Sequence, residues 1–260
     1  MTATGTVRAD AAAIAALPGL AKALRLPTIA HLWQPLADEA RSADWTHERY
    51  LAGLLEHELA ERDARRIARR LREANLPSGK RLDNYDFTLV PSLAKARILA
   101  LAAGGDWIER GNNLLIFGPQ GVGKTHLAGG IGAELVAHGH RVRCERVTEL
   151  LQHLQAARRD LCLPNALAKL DRYDCLILDD IGYARKDHHE TDVLFELICE
   201  RYERRSIIIT SNQPFGQWEA LFQDKAMTVA AIDRLVHHAE IIEITGESHR
   251  RREAMKRNKR

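Results

Sequence analysis

The sequence predicts a three-layer α/β domain built on a parallel sheet and preceded by a small all-helical domain. From residue 92 onward, short apolar runs alternate with amphipathic stretches, which is typical of buried parallel strands separated by helices. Before residue 77 the apolar residues instead recur at three- and four-residue spacing, which is typical of helices. We therefore expect a helical domain over 1–76, a linker over 77–91 and an α/β domain over 92–260 that ends in a basic tail.

The composition narrows the class of protein. The 260 residues are 45% hydrophobic and 28% charged, as in ordinary globular proteins, and a net charge of +3 does not by itself indicate a polyanionic partner. The four cysteines show no C-x-x-C spacing, which argues against a zinc site and against a disulfide scaffold. No apolar run reaches the roughly 18 residues that span a bilayer, and the first residues do not resemble a secretory signal. We expect a cytoplasmic protein with no membrane partner.

A glycine-rich loop follows the first apolar run of the α/β domain, where residues 113–128 read NLLIFGPQGVGKTHLA. The pattern G-x-x-x-x-G-K-T between a strand and a helix is typical of a phosphate-binding loop, or P-loop, because glycines let backbone N–H groups approach phosphates closely. Lys124 is expected to reach the β- and γ-phosphates, and the Thr125 hydroxyl is expected to bind Mg²⁺. The predicted nucleotide-binding residues are Gly118, Pro119, Gln120, Gly121, Val122, Gly123, Lys124, Thr125 and His126.

Polar side chains end two of the predicted strands. The predicted strands are 114–117, 141–146, 175–178, 206–210 and 240–244. Asp179 and Asp180 follow the third and Asn212 follows the fourth, at the edge where open α/β sheets bind ligands. We expect Asp179 to hold Mg²⁺, Asp180 to orient or deprotonate the attacking water, and Asn212 to hold that water or sense the γ-phosphate. The alternatives are a solvated acidic turn for the aspartates and a helix cap for Asn212.

The N-terminal domain is predicted to contain three helices. Residues 1–10 are expected to be disordered, and an alanine-rich helix over 11–25 is expected to be interrupted near Pro18. Thr28 is the predicted N-cap of a second helix that ends near residue 42, and Thr46 is the predicted N-cap of a third that runs to Ala74.

Two basic clusters are candidates for binding a phosphate backbone. The first is on the third helix and the second is in the tail, and neither contains a motif that reads bases. The residues concerned are Arg65, Arg66, Arg69, Arg70 and Arg72 on the helix and Arg251, Arg252, Lys256 and Arg257 in the tail. The alternative for the helix is a solvated face held together by pairs such as Glu58 with Arg62 and Glu61 with Arg65.

Aromatic and histidine residues leave further alternatives open. Tyr85 and Phe87 in the predicted linker either contact adenine or pack the linker against the domain. The pair His237–His238 is expected to lie at the surface or to pack, because no third ligand stands at a suggestive spacing in the sequence.

Taken together, these motifs resemble those of AAA+ ATPases in the helicase-loader and initiator branch, and most closely the IstB-type helper ATPases of bacterial insertion sequences. The resemblance rests on the P-loop with THLA, the strand ends LILDDIG and IITSN, the stretch DRLVHHAEIIEITGESHRR, and the N-terminal segments LRLPTIAHLWQPLADEA and ELAERDARRIARRLREANLP. It implies that Asp179 and Asp180 form the Walker B motif and that Asn212 is sensor 1.

The resemblance also implies roles for two arginines. Arg234 in AIDRLVH resembles the arginine finger that reaches a neighbouring subunit's ATP, and the alternative is a local pair with Asp233 or a nearby carboxylate. Arg250 resembles a residue proposed to contact phosphates. Two departures from the family pattern are evident: Walker B reads Asp-Asp where most AAA+ proteins have Asp-Glu, and too few residues follow Gly246 for a helical lid, so we expect none.

The function that the resemblance implies is ATP-dependent regulation of DNA transposition in the bacterial cytoplasm, in association with the nucleoid. The expected cofactors are ATP and Mg²⁺, and the expected partners are double-stranded DNA, a transposase and further copies of the chain in an ATP-bound homo-oligomer. A replicative helicase loader is the first alternative, and its N-terminal domain would bind a helicase instead. A P-loop small-molecule kinase is the second, and turnover without DNA or oligomers would favour it.

Overall fold

The structure, a computed structural model, describes residues 3–182, 187–220, 225–246, 248–249 and 255. The chain divides into two compact units, Met1–Ala68 and Arg69–Arg260. Within these described ranges, no helix is both long enough and apolar enough to cross a membrane.

The first unit is built from helices α1 (Ala3–Ala23), α2 (Pro27–Ser42) and the greater part of α3 (His47–Glu73). The predicted interruption near Pro18 is wrong, because α1 continues through this proline, and residues 3–10 belong to the same helix. Alanine is the strongest helix former, and the alanines around Pro18 favour the helix against the loss of one backbone hydrogen bond.

A buried carboxylate joins α2 to α3. Glu58 is only 2% exposed, and its Oε2 accepts hydrogen bonds from the backbone N–H groups of Thr28 (2.8 Å) and Ile29 (3.1 Å). Burial disfavours the charged carboxyl, but these N–H groups and Arg62 outweigh burial and lower the pKa of Glu58. Thr28 is therefore not the N-cap that the sequence suggested, since α2 begins at Pro27 and Glu58 satisfies its first N–H groups. The prediction for Thr46 is confirmed, because its Oγ1 accepts from Arg49 N–H at 3.3 Å.

The second unit is an α/β domain. Its strands are β1 (Asn113–Phe117), β2 (Val142–Arg146), β3 (Cys175–Asp179), β4 (Ser206–Ser211) and β5 (Ala239–Glu243). Its helices are α4 (Lys95–Ala102), α5 (Asp106–Glu109), α6 (Lys124–Ala137), α7 (Val147–Arg159), α8 (Leu163–Leu170), α9 (His188–Arg201) and α10 (Lys225–Val236), with 3₁₀-helices at Leu82–Asn84, Phe87–Leu89 and Phe215–Ala220.

The five strands form one parallel sheet in the order β2-β3-β4-β1-β5. On one face, Leu115, Leu176 and Ile207 belong to a core shared with α7, α8 and α9. On the other face, Ile177 contacts α6 closely enough that a methyl group on Gly132 would lie 2.6 Å from its Cδ1. The predicted three-layer parallel architecture is therefore confirmed, and the carboxyl ends of the strands meet at one edge.

A reciprocal cap starts the helix that follows β3. Asp187 caps α9, since its Oδ1 accepts from Glu190 N–H at 2.7 Å while Glu190 Oε2 accepts from Asp187 N–H at 3.1 Å. This capping begins the helix at His188.

The stretch 77–91 packs onto α6. Leu82, Tyr85 and Val90 in this stretch are at most 8% exposed. Their close approach depends on a glycine in α6, because a Cβ on Gly130 would lie 2.8 Å from Leu82 Cδ2 and 3.0 Å from Leu82 N. This packing brings Tyr85 beside Gly123 of the P-loop, within 3.2 Å of where a Cβ on that glycine would be.

We predict that Gly130→Ala lowers the free energy of unfolding by about 1–3 kcal/mol, because the new methyl group would press against backbone as well as side chain. In a helix without such a neighbour, the same change stabilises by up to about 1 kcal/mol. Gly53→Ala in α3 is the matched control, since the nearest atom to its new Cβ is Leu36 Cδ2 at 3.4 Å. Urea unfolding of both variants tests this, and a stabilised Gly130→Ala variant would refute the role of Gly130 in packing.

Candidate nucleotide-binding site

The P-loop connects β1 to α6. Gly121 and Gly123 have positive φ angles of 80° and 102°, which glycine adopts without strain. The Lys124 side chain contacts the loop, where its Nζ donates to the carbonyl oxygens of Gly118 (2.7 Å) and Pro119 (2.8 Å). The helix that follows begins at Lys124, so its first N–H groups face the same side as the loop.

Two hydroxyl groups and one carboxylate meet where α6, β3 and β4 converge. Thr125 Oγ1 donates to Asp179, with distances of 2.9 and 3.1 Å to the two carboxylate oxygens. Thr210 Oγ1 donates to Asp179 Oδ1 at 2.6 Å. Hard oxygen ligands of this kind suit Mg²⁺, so the Thr125 hydroxyl and the Asp179 carboxylate, as expected from the sequence, are suited to hold that ion.

Asp180 differs from Asp179 in both exposure and backbone conformation. Its side chain is exposed, and its φ of 66° lies in the left-handed region. Asp enters this region several-fold more readily than most residues with a Cβ. This conformation gives a physical reason for aspartate at the position where most AAA+ proteins carry glutamate.

Asn212 follows β4 at the same sheet edge as the two aspartates. Its Oδ1 is buried and has no hydrogen-bond partner among the described residues. A Cβ on Gly182, which follows β3, would lie only 2.3 Å from that oxygen. The 3₁₀-helix that follows begins at Phe215, three residues later, so Asn212 is not in the N-cap position that the alternative required.

A cavity of about 460 Å³ opens beside the P-loop. Its lining consists of residues 121–126 of the loop and α6, together with Lys80, Asn84, Tyr85, Asp86, Leu89, Val90, Gly246 and His249. The stretch 77–91 therefore forms one wall of the candidate nucleotide pocket. Sequence reasoning considered Tyr85 and Phe87 in this stretch but not its polar residues.

His126 faces this wall and not the loop. Its Nε2 lies 2.9 Å from Arg81 O and 2.7 Å from Asn84 Oδ1. Burial is the main cause that lowers the pKa of His126 below its usual value. Burial also raises the pKa of Tyr85 to about 12, so its hydroxyl stays protonated.

The short stretch after β5 also reaches the P-loop. His249 N–H donates to Gly121 O at 2.9 Å, and a Cβ on Gly121 would lie 2.2 Å from Ser248 Oγ. Sequence reasoning assigned a phosphate contact to the next residue, Arg250, which lies outside the described residues. The contacts of Ser248 and His249 were missed, because nothing in the sequence indicates where a chain end packs.

Arg234 lies on α10, and its contacts are within the chain. Its Nη1 donates to Ala230 O at 2.9 Å, and its guanidinium lies 5.4 Å from the ring centre of Phe195. The side chain is half-buried. Among the described residues, the contacts found for Arg234 are thus with Ala230 and Phe195, whereas the alternative named Asp233 or a nearby carboxylate.

The arginines of α3 make some of the contacts predicted by the alternative of a solvated face held together by ion pairs. Glu58 binds Arg62, as expected, whereas Arg65 donates to the backbone oxygen of Glu61 and to Thr28 Oγ1. The other contacts are Arg66 with Asp63 (3.0 Å), Arg69 with Glu73 (3.8 Å) and Arg70 with Gly139 O. Arg65, Arg66, Arg69 and Arg72 remain exposed. The tail residues Arg251, Arg252, Lys256 and Arg257 lie outside the described residues.

One group of potential metal ligands was missed. Glu203 Oε1 lies 3.3 Å from His238 Nε2 and 3.8 Å from His237 Nδ1. Glu203 is a third group of the right chemical type that the sequence did not suggest, and it lies close to the histidines because the end of α9 and the end of α10 meet in the fold. All three side chains are exposed, as expected for the histidine pair.

Comparison with known proteins identifies relatives over most of the chain. The family described as IstB-like ATP binding protein matches residues 19–257. An insertion sequence ATP-binding protein of Sinorhizobium fredii is 56% identical over 232 residues, which are 89% of this chain and 78% of that protein. The insertion sequence IS5376 ATP-binding protein of Geobacillus stearothermophilus is 37% identical over 88% of this chain and 91% of its own length.

Two solved structures are similar in fold. The DnaC helicase loader matches with a TM-score of 0.55 and 21% identity, over 65% of this chain and 98% of its own. Domain III of the Thermotoga maritima replication initiation protein DnaA matches with a TM-score of 0.55 and 23% identity, over 70% of this chain and 73% of its own. These likenesses confirm the AAA+ fold, and the sequence matches show that the chain belongs to the family of IstB-like ATP binding proteins.

Proposed function

We propose that this chain is a magnesium-dependent ATPase that assembles with ATP on double-stranded DNA in the bacterial nucleoid and presents that DNA to a partner transposase. The observation that carries the ATPase proposal is the contact between Thr125 of the P-loop helix and Asp179 at the sheet edge. The transposition part rests on relatives that are named as ATP-binding proteins of insertion sequences.

The residues of the site supply the parts that phosphoryl transfer to water requires. The loop N–H groups and the Lys124 ammonium bind the phosphates, and this requires Nζ to exchange its carbonyl partners for phosphate oxygens. Thr125 and Asp179 would hold Mg²⁺, which would neutralise charge on the phosphates. Asp180, which is exposed, accepts a proton from the attacking water, and Asn212 orients that water.

We predict that Lys124→Ala abolishes ATP binding, because it removes the cation that faces the β- and γ-phosphates. Asp180→Asn should retain ATP binding but lower the hydrolysis rate by about 10²-fold or more, because an amide does not accept a proton from water. Fluorescent-nucleotide binding and phosphate release measure the two effects. Asp160→Asn at the end of α7 is the control, and wild-type hydrolysis by Asp180→Asn would refute the role of Asp180.

The oligomer follows from the proposed role of Arg234. A cation inserted from a neighbouring subunit stabilises the charge on the phosphoryl group during transfer and contributes about 10³-fold or more in rate. To act in this way, the guanidinium must leave Ala230 O and the ring of Phe195. Both contacts are weak enough to exchange, since one is a single hydrogen bond and the other is a partly exposed cation–π contact.

We predict that Arg234→Ala binds ATP normally but hydrolyses it about 10³-fold more slowly. Mixing it with Asp180→Asn should restore part of the activity, because some interfaces then combine an intact site with an intact arginine. Arg110→Ala, an exposed arginine at the end of α5, is the control. If the two variants co-assemble and no activity returns, Arg234 does not act across an interface.

DNA binding is proposed for the exposed arginines of α3 and for the tail, which carries Arg251, Arg252, Lys256 and Arg257. Ion pairs with Asp63 and Glu73 reduce the free charge of Arg66 and Arg69, but exposed pairs of this kind are weak and exchange readily for phosphate. Contacts to phosphates orient a protein on DNA without reading its sequence. Binding should therefore be largely independent of sequence and strengthened by ATP, because an oligomer presents many clusters at once.

We predict that charge reversal at Arg65, Arg69 and Arg72, combined with deletion from Arg251 onward, weakens ATP-dependent binding to random duplex DNA by about 10-fold or more, because several phosphates are then no longer neutralised. The slope of log affinity against log salt should fall by roughly 0.9 for each of these phosphates. Charge reversal at three other exposed arginines, Arg41, Arg110 and Arg159, combined with the same deletion, controls for net charge at the helix positions. Equal affinities and slopes for both sets would refute the assignment.

A further inference from the structure

Thr210 contacts both Walker B aspartates. Its hydroxyl donates to Asp179 Oδ1 at 2.6 Å and accepts from the backbone N–H of Asp180 at 2.8 Å. The residue is 1% exposed, so water does not compete for either hydrogen bond. One hydroxyl group therefore binds the side chain of the first aspartate and the backbone of the second.

The main chain of Thr210 adds a third contact to the same turn. Ile181 N–H donates to Thr210 O at 3.1 Å. The two N–H groups that follow Asp179 are thus both bound by Thr210, one through Oγ1 and one through the backbone carbonyl. Between them lies the left-handed conformation of Asp180, which is strained in a residue with a Cβ and persists only when its surroundings hold it.

The position of Thr210 in the sheet explains why this residue makes these contacts. β4 lies between β3 and β1, Leu178 pairs with Ile209, and Thr210 pairs with Ile116 of β1. Ile209 belongs to the core shared with α7 and α9, so its neighbour Thr210 faces the α6 side, where Thr125 lies in the first turn of the helix. In the sequence, the one sign of this role was a threonine at the end of a run of three isoleucines, which places a hydroxyl at the end of a buried strand.

We propose that Thr210 is a positioning residue for ATP hydrolysis, which orients the Asp179 carboxylate toward bound Mg²⁺ and holds Asp180 in the backbone conformation that directs its carboxylate to the attacking water. This inference rests on the proposed ATPase function. In this role Thr210 acts through its contacts with the two aspartates. A hydroxyl in this position is required for hydrolysis and for the contribution of Mg²⁺ to nucleotide affinity, and it is not required for metal-free nucleotide binding.

The test compares Thr210→Val, which keeps the shape but removes the hydroxyl, with Thr210→Ser, which keeps the hydroxyl. Thr210→Val should lower kcat by about tenfold or more, because the variant lacks the hydrogen bond to the Asp179 carboxylate and the one from the Asp180 backbone N–H. Thr210→Ser should stay close to the wild type. Thr191→Val is the matched control, since Thr191 is also buried at 3% exposure and its hydroxyl donates to the backbone oxygen of Asp187, which caps α9.

Two readouts do not depend on turnover. Calorimetric titration with the analogue AMPPNP should show equal affinities of the wild type and Thr210→Val in EDTA, and an affinity gain with MgCl₂ that is several-fold smaller in the variant. Amide hydrogen exchange at Asp180 should be faster in Thr210→Val and normal in Thr210→Ser. If Thr210→Val does not fold, a folded Thr210→Ala replaces it in the comparison with Thr210→Ser. We then expect slow hydrolysis by Thr210→Ala and wild-type activity of Thr210→Ser.

The outcomes separate the role of Thr210 from the ATPase function. Suppose that the wild type hydrolyses ATP and that Thr210→Val, or a folded Thr210→Ala, matches it in kcat, in magnesium dependence and in amide exchange at Asp180. This result would overturn the role of Thr210 and leave the ATPase function intact. A wild type that does not hydrolyse ATP in any combination of MgCl₂ and duplex DNA overturns the proposed function and the inference with it.

Discussion

The site depends on the Asp179 carboxylate, which accepts one hydrogen bond from the Thr125 hydroxyl of α6 and another from the Thr210 hydroxyl of β4. A buried or half-buried carboxylate requires such partners, because an ionised group without hydrogen bonds is costly to remove from water. Through these contacts the end of β3 is tied to α6 in the neighbouring helical layer and to β4 beside it in the sheet. Hydrogen bonds within the protein thus join the P-loop helix to the sheet edge.

Much of this arrangement was predictable from the sequence. The glycine pattern before Lys124 and the carboxylates after an apolar run indicate the loop and the sheet edge, because each feature depends on a few local residues. The parallel orientation of the strands was predictable because the apolar runs alternate with helices. The strands lie within about two residues of their predicted bounds, since apolar runs mark buried strands clearly.

The remainder depends on contacts between residues far apart in the sequence. Glu58 replaces Thr28 as the group that satisfies the first N–H groups of α2, and its partner is 30 residues away. The stretch 77–91 shows no periodicity, yet it forms a wall of the pocket because Gly130 lets it approach α6. Asp180 has a left-handed backbone, and its N–H donates to Thr210, which is 30 residues away, so no local pattern around Asp179 and Asp180 predicts this contact.

The central claim is that the P-loop and the edge of the sheet form one magnesium–nucleotide site. A crystal structure of the chain with Mg²⁺ and a non-hydrolysable ATP analogue tests this most directly. We expect phosphates along the N–H groups of residues 121–125, Lys124 Nζ moved from Gly118 O to a phosphate oxygen, and the metal bound by Thr125 Oγ1 and, directly or through water, by Asp179. A nucleotide bound away from the loop, or a metal that contacts neither Thr125 nor Asp179, would contradict it.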